Sequence, residues 1–426
     1  MRKPSQKETT KNKEPEDNRS FLQRVAVRKG KAEALLLPAL AVFTALLIGS
    51  LLIAFSDLEV LAAWGQFFSN PLRALGLAGQ KIFQAYEAMF SGAFGRPTAV
   101  IAAIKNWQLT GETRSLLDAI RPFAESLVIA TPYIFAGLGV ALGFRGGLFN
   151  IGAEGQLFVA ALASVYVGYS ITGVPFLVHT LLALLVGVLA GALWGAIPGF
   201  LKARTGAHEV INTIMMNYIA FRLTDYMLNG PMQRPDGMPI TNEILPSAYI
   251  PSFFEPPVRV HWGFLLALGM AFLMYWFLWK TPLGMEIRMV GANPRGARYA
   301  GIRVTVIIAL TMALSGAVAG MAGATQILGL EHKLVRSFSS GYGFDAIALA
   351  LLGNSHPFGV VLASLLFGFL RGGAARMQSV AGTPVELIRI IQGMIILFIA
   401  APEIIRSLYR IKKSRQKKGV PQSSTS

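Results

Sequence analysis

The sequence predicts an all-α protein, a polytopic transmembrane helix bundle of about ten spans with broken helices. Three observations carry that prediction. First, 53% of the 426 residues are hydrophobic and only 14% are charged, against about 25% charged in soluble domains. Second, apolar runs recur along the chain: Leu157 to Leu201 holds 45 consecutive residues without a formal charge, where one crossing needs about 20. Third, polar and glycine residues are gathered at a few places, above all RGGLFNIGAEGQLF (Arg145 to Phe158) and SFSSGYGFDAIALALLGNSHPFG (Ser337 to Gly359).

In chain order, residues 1–31 carry ten basic and four acidic side chains. They lack apolar periodicity and read as a disordered basic tail. Residues 403–426, with seven basic and one acidic, form a second one, and together the tails hold +12 of the net +17. A basic tail beside a bilayer is explained by cytoplasmic retention and attraction to anionic lipid, so the charge does not imply a nucleic-acid partner. Between them lies a transmembrane region, 32–402. Its first span, 34–56, has 23 uncharged residues, more than the roughly 7–15 of a cleaved signal core, and reads as a retained anchor. With no cysteine, neither a disulfide nor a thiolate metal site is possible.

The remaining spans are expected at 123–143, 156–173, 175–201, 209–228, 261–279, 304–328, a short piece at 343–354, 357–376 and 385–402. Within 209–228, Arg222 and Asp225 stand three apart, so they can pair on one helix face. An even number of spans puts both tails on the cytoplasmic side, together with Lys202, Arg204 and the loop 280–303, which has five basic residues and one acidic. Segments 57–122 and 229–260 then face outside, folded over the outer mouth, with turn-rich stretches such as NGPMQRPDGMP and PSFFEPP. Gly187, Gly191, Gly195 and Gly199 repeat every four residues, and Gly316 and Gly320 repeat the spacing later. Such ridges let two backbones approach closely within one bundle.

The polar breaks are the candidate functional places. Arg145 and Glu154 are costly against lipid and must face protein, a water-filled cavity or the interface. Four glycines between Arg145 and Gln156 make regular helix throughout implausible, and irregular backbone at membrane depth survives only where protein or water satisfies it. In the second break, Asp345 and His356 bracket ten apolar residues, too few to span. Two such interruptions in different halves of a chain point to a translocation path. The basic loop Thr281 to Ile302 contains a short helical run after Asn293-Pro294, with Pro suited to the first turn and Asn to the cap; a small helix on that face has to dock on something.

Catalytic readings are weak. The chain lacks a G-x-x-x-x-G-K-[ST] loop, so it has no ATP-binding motif of its own. His208-Glu209 resembles the start of a zinc-protease motif, but Asn212 stands where the second imidazole belongs. An intramembrane hydrolase with paired carboxylates would have to use Asp345, Asp225 or Glu209, and no second motif supports it. No catalytic or metal-binding residue is therefore assigned.

GLFNIGAEGQLF, RMVGANPRGARYAGI, GYGFDAIALALLGNSHPFGVVLASLLFG and the outer stretch QAYEAMFSGAFG together resemble the membrane permease subunit of binding-protein-dependent ABC importers, in the nucleoside and simple-sugar branch (ribose and branched-chain amino acid type). The likeness runs from about residue 83 to 402 in the same order. It implies a permease domain at 32–402 in a bacterial cell membrane, moving nucleosides, with a ribose-like sugar as the alternative substrate. It further implies an ABC ATPase subunit that hydrolyses ATP with Mg, this chain holding no cofactor. A second permease subunit, as a heterodimer, and an extracytoplasmic substrate-binding lipoprotein or periplasmic protein complete the expected assembly. By position, Gly291, Asn293, Arg295, Ala297, Arg298 and Gly301 would form the loop that couples to the ATPase, and Asn150, Glu154 and Gln156 would lie beside the substrate path, to which the second break adds Asp345.

Overall fold

The structure, a computed structural model, describes residues 21–410; residues 1–20 and 411–426, which include most of the two expected disordered tails, lie outside the described residues. The helices follow in the order α1 (Phe21–Ser56), α2 (Leu58–Gly65), α3 (Pro71–Phe94), α4 (Pro97–Thr110), α5 (Arg114–Arg145), α6 (Ala153–Ser170), α7 (Phe176–Thr205) and α8 (Glu209–Leu228). Then come α9 (Gly263–Lys280), α10 (Pro282–Ala292), α11 (Pro294–Tyr299), α12 (Val304–Gln326), α13 (Tyr342–Leu352), α14 (Pro357–Ala381), α15 (Val385–Ala400) and α16 (Pro402–Leu408). No β-strand occurs among the described residues, only two isolated bridges.

Every one of the ten expected spans coincides with a helix. Six helices are by themselves long and apolar enough to cross a membrane: α1 over Leu36–Ser56, α5, α7, α9, α12 with its extension to Glu331, and α14. Helices α15 and α16, bent by 88° at their junction, make a seventh candidate. Helices α6 and α8 fall short on apolarity because they carry Glu154 and Gln156, and Asn217, Arg222 and Asp225, polar groups paired with side chains and backbone of the adjoining loops and helices or, for Arg222, within α8 itself. Helix α1 begins at Phe21, so it reaches back into the stretch expected to be tail; the basic residues there are good helix formers and continue the apolar span.

Helix α5 is the axis of the bundle. Its residues Ala130 to Gly143 are all buried, surrounded by α12, α14, α13 and α9. The closest helix pair is α7 with α12, and it is built as the glycine spacing predicts, inside one bundle. A methyl group on Gly191 would stand 2.6 Å from the carbonyl oxygen of Gly316 and 2.9 Å from Gly320 Cα. Only bare backbone fits there, and the close approach supplies the dispersion contact that holds helices together where water does not.

Segment 57–122 is more regular than its expected role as an outer covering implies. Asp57 caps α2 by accepting from Glu59 and Val60 N–H, and Asn70 caps α3 from Arg73 N–H. Helix α3 then runs along α14, where Gly92 and Met89 meet Gly373 and Arg376, while its Ala78 packs with Ala54 of α1 and Val60 of α2. The other segment expected outside, 229–260, is largely without helix, and its end meets α12. There α12 unwinds into a π-turn, Ile327–Glu331, against which the imidazole of His261 lies beside Gly329. Burial lowers the His261 pKa to about 4, and its neutral Nδ1 accepts from Gly263 N–H at 3.1 Å.

Candidate functional site

From Tyr133 to Arg145, α5 rises about 18 Å at 1.5 Å per residue, more than half the thickness of a hydrocarbon layer of about 30 Å. Two helices begin at the level of Tyr133. Helix α6 starts there because Gly146, Gly147 and Gly152 break the chain after α5 and lead it back into the bundle; α13 starts there because Ser337 to Gly341 return from the π-turn of α12. Their first turns touch. Glu154, 3% exposed and in the first turn of α6, accepts from Ser339 Oγ and from the Gly343 N–H, each at 2.6 Å. Gly343 has no room for a side chain: a methyl group would stand 2.5 Å from Glu154 Cα. A carboxyl at the start of two helices meets unpaired N–H groups and the positive end of both dipoles.

One turn further, Asp345 accepts from Tyr133 Oη at 2.7 Å. Arg371, inside α14, donates to the same hydroxyl at 2.6 Å and to Ser340 O at 3.1 Å; it lies 3.8 Å from Asp345 and 5.0 Å from the Tyr342 ring. Arg371 and Asp345 are thus a cation and a carboxylate bridged by a phenol, with the second carboxyl, Glu154, in the adjoining turn.

Two cavities flank this point. One, of about 590 Å³, is lined by Asp345, Arg371, Ser340, Arg389, Gln378 and Gln392. Gln392 is 8% exposed, and its Nε2 has no partner within the protein, so a buried donor stands free at the cavity wall. The other, of about 350 Å³, is lined by Glu154, Ser337 and Ser339 together with Phe158, Phe221 and Phe344. Asp225, also on its wall, is held by Arg336 at 2.8 Å and by Arg222 at 3.6 Å; the expected Arg222 pair is present, and Arg336 is its stronger half.

Asn150 and Gln156 are completely interior. Asn150 Nδ2 donates to Gln156 Oε1 at 3.0 Å and to Ser315 Oγ at 2.8 Å, and its Oδ1 accepts from Gly152 N–H at 2.9 Å. Asn217 of α8 completes the brace, accepting from Gly155 N–H at 2.8 Å and donating to Ile151 O at 3.0 Å. The broken stretch therefore has its backbone groups satisfied by side-chain amides, which is how irregular backbone survives at membrane depth.

At the end of α5, Arg145 donates to Ser355 O at 2.9 Å and Asn354 O at 3.0 Å and packs over the Trp279 ring. The residues Gly353 to Ser355 close α13 after 11 residues, as the short apolar piece requires. Here also sits the 280–303 loop, folded as α10 and α11. Asn293 Oδ1 accepts from Arg295 and Gly296 N–H at 3.1 and 3.0 Å, with Pro294 in the first turn. Ala297 is buried, whereas Arg295 and Arg298 are exposed, and Gly301 turns the chain with φ +83°. Gly291 abuts the break directly: a methyl group on Gly147 (φ +71°) would lie 2.9 Å from Gly291 Cα.

Residues 123–400 match the family model described as the permease component of the branched-chain amino acid transport system. The chain belongs to that family. This permease is a multi-pass membrane protein. It is 40% identical over 335 residues to the guanosine ABC transporter permease of Bacillus subtilis, covering 78% of this chain and 89% of that one. It is 35% identical over 309 residues to the glucose ABC transporter permease of Haloferax volcanii, covering 69% and 80%. A nucleoside ABC transporter permease of Lactococcus lactis is 33% identical over 304 residues, with 68% and 82% covered. No solved structure matches the chain.

Of the residues singled out from the sequence, the permease brings Glu154 and Asp345 to one polar centre with cavities beside them, and sets Asn150 and Gln156 behind it as supports. Tyr133, Arg371, Asn217 and Gln392 escaped sequence reading. Arg371 had a signal, an arginine inside an apolar span; the other three are residues common enough in helices to carry none. Glu209, beside His208, is taken up by Lys202, and no cluster of three or more His, Asp or Glu among the described residues is arranged to hold a metal.

Proposed function

We propose that this permease is the transmembrane subunit of a bacterial ABC importer for nucleosides, with both termini cytoplasmic. A separate ATPase hydrolyses ATP with Mg on the α10–α11 face, a second permease subunit makes a heterodimer, and an extracytoplasmic binding protein delivers substrate. The observation that carries this reading is the polar centre of Glu154, Asp345, Tyr133 and Arg371 at the N-termini of two half-helices, in a chain 40% identical to a guanosine permease. Half-helix starts near the midplane are where carriers hold substrate. A path with few charges suits an uncharged polar solute, and in the 350 Å³ cavity the phenyl rings suit a base while Ser337 and Ser339 suit ribose hydroxyls. Asn150 and Gln156 brace the path without touching its contents.

Coupling follows from the Gly291–Gly147 contact. Movement of α11 under a docked ATPase bears through Gly291 on Gly147, and from there on the stretch that ends in Glu154. The ATPase shifts the permease between states only through contacts that differ between them.

The test is uptake of radiolabelled guanosine, cytidine, ribose and glucose by cells lacking the chain, with and without its return. Restored guanosine uptake, competed by other nucleosides and not by the sugars, is the expected result. The 35% identity to a glucose permease favours a simple sugar, ribose-like or hexose, as the second reading, and restoration of sugar uptake alone would replace the first.

A further inference from the structure

The cavity of about 350 Å³ beside Glu154 is of small-ligand size, about 300–1,000 Å³, and its two ends differ. At one end Glu154 is held by Ser339 and the Gly343 N–H. Phe158, one turn along α6 from Glu154, meets the Phe221 ring of α8 edge to face, with centroids 5.0 Å apart. Asp225 marks the other end, four residues after Phe221 and so on the same face of α8. Arg336, which pairs with it, and Ser337, the next residue, belong to that end as well. The Asp225 carboxylate is only half engaged. Arg336 Nε lies 2.8 Å from Oδ1, whereas Oδ2 is 3.6 Å from Arg222 Nη1, beyond hydrogen-bond reach. The side chain is 29% exposed, so a carboxylate fixed by one partner keeps its second oxygen free at the cavity wall.

We propose that Asp225 reads the sugar of the carried nucleoside, its carboxylate accepting from the vicinal 2′- and 3′-hydroxyls. This rests on the nucleoside reading of the cavity. A nucleoside has one flat end and one hydroxylated end; with its base among the phenyl rings, its ribose meets Asp225 and Ser337. Hydrogen bonds to an ionised acceptor are the strong kind, and a site that offers such an acceptor rejects an analogue lacking the hydroxyl far more firmly than an apolar pocket does. Arg336 is then a positioning residue, holding the carboxylate toward the cavity by its other oxygen.

The test is uptake of radiolabelled guanosine, 2′,3′-dideoxyguanosine and inosine by cells whose only copy of the chain is wild type, Asp225→Asn, or Asp225→Asn with Arg336→Gln. The double variant removes the charge of Arg336 along with that of Asp225. Any selection upstream of the permease is the same in all three strains and cancels when their ratios are compared. The guanosine-to-dideoxyguanosine ratio is expected to fall roughly tenfold in both variants, with the guanosine-to-inosine ratio unchanged. The same ratios are read as nucleoside-induced shifts in the unfolding midpoint of the detergent-solubilised permease, so a variant that no longer transports is still scored. An equal fall for all three nucleosides would make Asp225 a mere brace for Arg336 and overturns the proposal. A changed guanosine-to-inosine ratio with the ribose preference intact would put the base edge at Asp225, and also overturns it. Wild-type uptake of no nucleoside removes the nucleoside reading and this proposal together, whereas nucleoside uptake with unaltered ratios in the variants overturns this proposal alone.

Discussion

At Glu154 a single carboxyl accepts from Ser339 Oγ and from the Gly343 N–H while standing in the first turn of its own helix. An amide in its place offers one acceptor and turns an N–H toward a group that is itself a donor. Leaving a buried donor unmatched costs about 1–3 kcal/mol, so Glu154→Gln should leave the protein inserted but loosen the start of α13. Substrate uptake is expected to fall by about tenfold, with membrane level on immunoblot within a factor of about two; unchanged uptake would remove Glu154 from the path. Residue-level reading of the sequence reached Glu154 and Asp345 because acids amid 40 or so apolar neighbours are conspicuous. It did not reach Tyr133, which sits among ordinary apolar helix and acquires its role only when α14 brings Arg371 within 2.6 Å of its hydroxyl.

The α7–α12 ridge was legible as an element because its four-residue glycine period has one geometrical meaning. Helix α3 was not, since its apolar residues alternate with Arg73, Gln80, Lys81, Gln84 and Glu87 and only the contact of Met89 and Gly92 with α14 shows what it packs on. The ridge makes a sharp prediction. Gly191→Leu drives a side chain into the carbonyl of Gly316, whereas Gly269, on α9, has open space around it. Overpacking costs about 1–3 kcal/mol and more where backbone must move. Gly191→Leu should therefore lower the thermal unfolding midpoint of the detergent-solubilised permease by several degrees, about 4 or more, while Gly269→Leu leaves it unchanged; equal midpoints would show that the ridge is not tight. Helices were readable at 156–173 and 209–228 despite their polar residues, because the flanking glycines and basic ends mark helix limits even where apolarity is diluted.

For the whole molecule, the exposed helix pair α10–α11 at one end and the polar centre are joined by a short run of packed parts: Gly291, Gly147, the Asn150 brace and Glu154. Arg295 and Arg298 are the exposed groups of that end, and Ala297 anchors them. Replacing Arg295 and Arg298 together by alanine is expected to reduce uptake and substrate-stimulated ATP hydrolysis of the reconstituted importer by about tenfold or more, the scale of losing two charged contacts at an interface. Membrane insertion should be untouched, and normal stimulation in that variant would place the ATPase elsewhere. The helical content, the cap at Asn293 and the basic face of this loop were readable in the sequence. That it rests on the Arg145–Gly147 turn was not, because the two stretches are more than a hundred residues apart and meet through glycines, which leave no pattern of matching side chains.

The Gly147–Gly291 junction has a mechanical corollary. Two bare backbones pressed together resist being squeezed, yet they offer no interlocking group to grip when drawn apart. At this junction a load on α10 passes to the turn after α5 as a shove and not as a tug, and any pull between them has to run through the buried side chains of Ile287 and Val290.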